Sequence, residues 1–335
     1  MDKARRRLLI GGAGSVMAAG VAGVVGTLGG SRSALAQESK EISLLVGFPA
    51  GGGPDMIARL IADKLRASLS RPVIVENVVG AGGRLVLENM MRRPANGSVF
   101  TLTPSGMLTI SPNLYSKLLY NPLRDFIPVS GVCTYSYSLV VGPGTTARSL
   151  EEFLGWCKAN PSKASYGVPA LGAATHFLGW LLSQASGTPL TVVPYKGGPQ
   201  LTQAVLGGEI ASAINLVSNF RGLHASGRLR VLAISQSERS PRLPDVPTFA
   251  ELGYKDCVVE EFMCFVARIG TPATAVTAVA DGVRRALGSK DVRDALLAQE
   301  FDPAPVAGAT VGDWINSGYA RWGNVVKASG FKPED

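Results

Sequence analysis

Short apolar runs alternate with longer stretches whose apolar residues recur at helical spacing, from Ile42 almost to the end of the chain. Residues 42–48 form a run of the first kind, closed by a Pro/Gly-rich turn, and read as a buried strand. Beyond it Met56, Ile57, Leu60, Ile61, Leu65 and Leu69 share one face of a helix. Residues 72–76 predict the next strand and residues 80–83 a turn. A helix with Leu87, Met90 and Met91 inward follows, then a strand at 99–103. This βαβα rhythm predicts a mainly parallel sheet covered on both faces.

A second set starts near Ser138, with a strand at 139–141. Ser149 and Glu152 make a capping-box pattern before a helix at 150–158. Strands at 165–168, 190–195, 211–216 and 229–235 and helices at 175–186 and 199–206 complete it. Residues 241–247, with three prolines, predict a rigid surface loop. Three amphipathic helices close the chain, and Thr310 with Asp313 predicts the cap of the last.

At 335 residues the chain exceeds one ordinary core, and 46% hydrophobic against 17% charged residues excludes disorder. Half of the net charge of +8 falls in residues 1–36. The rest is mildly basic, without the basic run or aromatic-basic stripe of a nucleic-acid binder. Arg5, Arg6 and Arg7 precede a charge-free stretch, and Ala34-Leu35-Ala36 offers a cleavage site before Gln37. Eight glycines between positions 11 and 30 make that stretch weakly hydrophobic, as in a twin-arginine export signal. Ala4, where such signals carry Ser or Thr, leaves the general secretory route open, and a retained anchor is the alternative. Cys133, Cys157, Cys257 and Cys264 lack metal-site spacing, and disulfides or buried thiols both remain open.

Histidine-based hydrolysis has only His176 and His224 to draw on, and no G-x-S-x-G turn occurs. The GPGTTA segment at 142–147 follows a strand, but the helix cap at Ser149 lies beyond it, so it reads as a crossover loop rather than a dinucleotide site. Anion capture is better supplied. Phe48-Pro49-Ala50-Gly51-Gly52-Gly53-Pro54-Asp55 joins a strand to a helix, where glycines let backbone N–H groups approach a ligand at a positive helix end. Gly80, Ala81, Gly82 and Gly83 repeat the arrangement, with Arg84 beside them. Two ordinary turns explain the same residues equally well.

Several segments in order resemble the Bug-type periplasmic solute-binding proteins of tripartite tricarboxylate transporters: FPAGGGPD, PVIVEN, GAGG, PYKGGPQLTQAVLGGEI, GRLRVLAIS and RSPRLPDVPTFAELGY. The likeness spans residues 42–330. It implies an α/β, two-lobed Venus-flytrap fold, each lobe a mainly parallel sheet flanked by helices, with two crossover strands. Residues 1–36 would be the export signal, 37–140 plus 261–335 the first lobe and 141–260 the second. The first crossover is expected near residues 139–142 and the return at 261–266. The resemblance implies periplasmic binding of one small carboxylate between the lobes and its delivery to a membrane permease. It implies a monomer with no cofactor, no metal and no catalysis. Phe48, Pro49, Ala50, Gly51, Gly52 and Asp55 would form the first wall, with Gly80, Ala81, Arg84 and Ser105 at neighbouring strand ends. Ala173, Thr175 and His176 occupy the family's hydroxyl-rich segment, where Ala173 replaces a hydroxyl. Tyr195, Lys196 and Gly197 carry the PYKGG motif. Asn215 stands where many relatives have an acid, so a carboxylate without an ammonium is expected. Tyr135 and Tyr137 are candidates to stack an aromatic acid, or simply to pack. Two alternatives remain: a ligand sensor signalling to a membrane receptor, and an exported enzyme using Asp55 and His176.

Overall fold

The computed structural model describes residues 41–333, so the export-signal reading and the Ala36 cleavage site lie outside the described residues. In chain order the first elements are β1 (Ile42–Val46), α1 (Gly53–Leu69), β2 (Val73–Asn77), α2 (Leu85–Arg92) and β3 (Val99–Pro104). Two single-turn helices, α3 (Gly106–Thr109) and α4 (Ser111–Leu114), lead to the long strand β4 (Phe126–Val141). Then come α5 (Leu150–Ala159), β5 (Ser165–Val168), α6 (Ala174–Ser186), β6 (Thr191–Pro194), α7 (Gly198–Leu206), β7 (Ser212–Leu216), α8 (Val217–Ala225) and β8 (Arg230–Ile234). The chain returns through β9 (Glu260–Arg268) and ends in α9 (Ala273–Gly288), α10 (Lys290–Ala298), β10 (Asp302–Pro303) and α11 (Gly308–Ser329). No helix among the described residues is long and apolar enough to cross a membrane.

β1 lies parallel between β2 and β3, and β5 lies parallel between β6 and β7. Every antiparallel pairing involves β4 or β9. These two strands are the crossovers, and a strand that leaves one sheet for another must run against its return partner. β4 pairs with β9 through Ser136, then with β7 and β8 from Tyr137 onward. The first crossover therefore comes earlier than the expected 139–142. Its strand is also far longer than the expected three residues, because Ser130, Ser136 and Ser138 break the apolar pattern yet are buried within the sheet.

The capping box of α5 forms: Ser149 Oγ accepts the Glu152 N–H at 3.1 Å. The one expected at Thr310 does not. α11 begins at Gly308 and has no side-chain cap, so Thr310 already lies inside the helix. Tertiary contact decides that start, because a Cβ at residue 308 would lie 2.2 Å from the Pro128 carbonyl oxygen. Only glycine lets α11 seat against β4 there. The helix α8, short and weakly patterned, had no sequence signal. All four cysteines are buried free thiols.

Candidate functional site

A cavity of about 540 Å³ opens where the ends of both sheets meet the crossovers. One wall is Phe48, Gly53, Pro54, Gly82, Arg84 and the α3–α4 turn with Met107, Ile110, Ser111 and Tyr115. The facing wall is residues 169–175 with Asn215 and Leu216. Tyr135, Tyr137, Glu261 and Met263 of the crossovers line the back, and Phe301 joins them.

The facing wall holds polar atoms with nothing to bond. Thr175 Oγ1 and Asn215 Nδ2 are buried without a hydrogen-bond partner. Asn215 Oδ1 accepts the Leu216 N–H at 2.9 Å, which leaves the amide nitrogen as donor. Thr175 sits in the first turn of α6, where the Ala174 and Thr175 N–H groups also lack a protein acceptor. Buried polar atoms are rarely left unpaired, so this cluster marks where a ligand atom belongs.

The glycine-rich wall behaves differently. Asp55 Oδ2 accepts the Gly51 N–H at 2.8 Å, and the Gly52 N–H donates to the Pro49 carbonyl at 3.2 Å. Asp55 is itself buried, and its other oxygen accepts from Asn77 Nδ2 at 2.9 Å. Arg59 Nε donates to Asp55 Oδ2 at 2.9 Å. That hydrogen bond, helped by Gly51 and Asn77 and opposed by burial, lowers the Asp55 pKa to about 2. The expected second turn likewise closes on itself, the Gly83 N–H bonding the Gly80 carbonyl at 2.9 Å. Gly53 keeps a first-turn N–H without an acceptor among the described residues.

Of the residues expected from sequence, the cavity gathers Phe48, Arg84, Ala173, Thr175 and Asn215, with Tyr135 and Tyr137. Pro49, Ala50, Gly51, Gly52, Asp55, Gly80 and Ala81 lie off its lining. Ser105 sits behind it, its Oγ donating to Glu261 Oε2 at 2.9 Å. His176 is buried one residue past the wall, 4.9 Å from the Phe177 ring and 4.6 Å from that of Phe331. Burial lowers its pKa to about 4, and Nδ1 accepts the Gly172 N–H at 3.2 Å. Asp55 and His176, the pair an enzyme would need, are thus both held inside the protein away from the cavity. Tyr195 donates to Glu209, the Lys196 N–H to Gln200, and Gly197 precedes α7; none lines the cavity.

Sequence reasoning missed Glu261, Phe301 and the α3–α4 turn. Glu261 had a readable signal: it is the inner of two acids opening an apolar strand, EEFMCFVAR. Burial, only partly offset by the Ser105 hydrogen bond, raises its pKa to about 7. Phe301 had none, since its position depends on how the C-terminal segment folds back.

Residues 57–331 match the model of the tripartite tricarboxylate transporter family receptor. The chain belongs to this family. Among the relatives of this receptor is BugT of Bordetella pertussis, 33% identical over 295 residues, covering 88% of this chain and 90% of that one. Among solved structures, one described as a periplasmic transporter shares 30% identity at a TM-score of 0.77, covering 87% of this chain and 98% of its own. MatC from Rhodopseudomonas palustris with bound malate is 26% identical at a TM-score of 0.74, covering 85% and 98%. R. palustris Rpa4515 with adipate is 28% identical at 0.78, covering 88% and 98%. The receptor accordingly has the two-lobed periplasmic-binding-protein fold.

Proposed function

We propose that this receptor captures a small organic carboxylate without an ammonium in the periplasm and hands it to a tripartite tricarboxylate-type permease. The observation that carries the reading is the pair of buried, unpartnered donors, Thr175 Oγ1 and Asn215 Nδ2, beside the free amides of α6. Burying a carboxylate without donors costs several kcal/mol, and this wall supplies four at a positive helix end. The malate and adipate held by MatC and Rpa4515 support the same class. Glu261 does not serve as a free anion for an ammonium: its Oε2 is engaged by Ser105, and burial favours its neutral form.

Residues 37–140 with 261–335 act as one lobe and 141–260 as the other, closing about β4 and β9 over the cargo. The receptor works as a monomer, exported by its N-terminal signal. The test is mass spectrometry of the small molecule released when the natively purified protein is denatured, followed by a thermal-shift panel. A non-amino carboxylate bound at one per chain supports the reading. Selective stabilisation by aspartate or glutamate, or turnover of the cargo, overturns it.

A further inference from the structure

We propose that the cargo carries an aromatic ring: a single carboxylate seats at the amino end of α6 while the ring lies among Phe48, Tyr137 and Phe301. This rests on the carboxylate reading above and narrows it. The polar atoms awaiting a partner are gathered on one side, Thr175 Oγ1 and Asn215 Nδ2 with the amides of Ala174 and Thr175. All four can donate, and together they match the acceptor sites of one carboxylate.

The rest of the enclosure is rings and thioethers: Phe48, Met107, Tyr135, Tyr137, Met263 and Phe301. Tyr135 meets Tyr137 edge-on at 6.1 Å and Phe301 edge-on at 5.7 Å. Three rings thus already stand in the T-shaped arrangement that a further ring extends favourably, and Met sulfur adds to such contacts.

A second carboxylate finds no comparable seat. The only charged side chains on the lining are Arg84 and Glu261. The Arg84 guanidinium lies 3.6 Å over the Tyr115 ring, where a cation–π contact already holds it. Glu261 would repel a second anion once ionised and keeps its Oε2 on Ser105. Ser111 Oγ turns to the Met107 sulfur at 3.9 Å. An anion pressed against this side would lose water and gain few donors, whereas a ring loses nothing.

Isothermal titration of the exported chain against benzoate, 3-phenylpropionate, hexanoate, malate and adipate tests the inference. The expected result is that at least one aromatic acid binds tenfold or more tighter than all three aliphatic acids. Phe48→Leu, which keeps the bulk but removes a ring from the rim, should then weaken the aromatic acid about fivefold and hexanoate less than twofold. Hexanoate, malate or adipate binding as tightly as the aromatic acids overturns the ring and leaves the carboxylate reading standing. An equal loss for both probes in Phe48→Leu also overturns the ring contact. Binding of none of the five overturns both readings.

Discussion

The two walls of the cavity invert what their sequences advertise. The wall after β1 carries the conspicuous segment, three glycines before a helix, yet Gly51 and Gly52 spend their N–H groups on Asp55 and Pro49. The wall before α6 reads as an unremarkable GAATH, yet it leaves Thr175 Oγ1 unpartnered beside Asn215 Nδ2. Glycine richness signals backbone freedom, and a chain can use that freedom to bond to itself as readily as to a ligand. Recognition is better marked by polar atoms that folding buries and does not satisfy. The first wall therefore gives shape, and the second gives hydrogen bonds.

Removing the second wall's donors gives the largest expected effect. A hydrogen bond to a charged group contributes about 1.5–3 kcal/mol, or about 10- to 150-fold in affinity. Thr175→Val with Asn215→Leu should therefore weaken cargo binding at least 100-fold, about 3 kcal/mol. Thermal stability should hold or rise slightly, because neither atom has a protein partner to lose. If calorimetry shows stability falling along with affinity, these atoms are structural and the contrast between the walls is broken.

Glu261 stands between the walls, on the return crossover, and its effect is set by pH. Its pKa is raised from 4.5 to about 7 by burial. At about 1.4 kcal/mol per unit, ionising it in the folded state costs about 3 kcal/mol. The native protein holds this proton more tightly than the unfolded chain does. Its contribution is therefore fully present below pH 4.5 and is lost as pH rises toward 7. Glu261→Gln should flatten that fall in urea titrations at pH 4.5, 6 and 7.5. A fall of equal slope in the variant would assign it to other groups.

How far these features were legible in the sequence follows from what produces each one. The strands and long helices were legible because their faces are buried locally, so apolar spacing alone writes them. β4 was cut to three residues because buried serines interrupt it, and only the sheet context shows they belong. The motif at 48–55 located the cavity's edge through Phe48, but the direction in which each N–H points depends on Asp55, which reads from sequence as a helix-dipole residue and acts as a loop clasp. Thr175 and Asn215 were named from resemblance. That nothing in the protein satisfies them is a tertiary fact. Phe301 and Glu261 come from the C-terminal third, which folds back across both sheets, and no local pattern encodes that return.

Asp55 sharpens the comparison from the side of the first wall. Asp55→Ala strips the carboxylate from Gly51, Asn77 and Arg59 together. Leaving such donors unmatched should cost about 2 kcal/mol of stability. The native carboxyl, with its pKa lowered from 3.8 to about 2, contributes fully above pH 4 and loses that contribution as pH falls through 2. Wild-type stability should thus decline more steeply than the variant's below pH 4, as acid-unfolding curves would show. Parallel curves would mean that the loop needs no clasp.

The smallest effect concerns how the walls stay together. Arg242 donates from Nε to Glu300 Oε2 at 2.6 Å and from Nη2 to Asp302 Oδ1 at 2.8 Å. Arg221 Nε also approaches Glu300 Oε1 at 2.6 Å. The two acids flank Phe301, so arginines from the α8–β8 side hold a ring of the C-terminal segment against the cavity. Because Arg221 remains on Glu300, Arg242→Ala should remove only about 0.5–1 kcal/mol, a two- to fivefold faster release of cargo. The change should shrink at high salt, since partly exposed ion pairs are screened. Stopped-flow release at low and high ionic strength separates this from simple packing. A rate that does not move would show that the edge-on contact with Tyr135 is enough to hold Phe301, and that the walls depend on apolar contact rather than on charge.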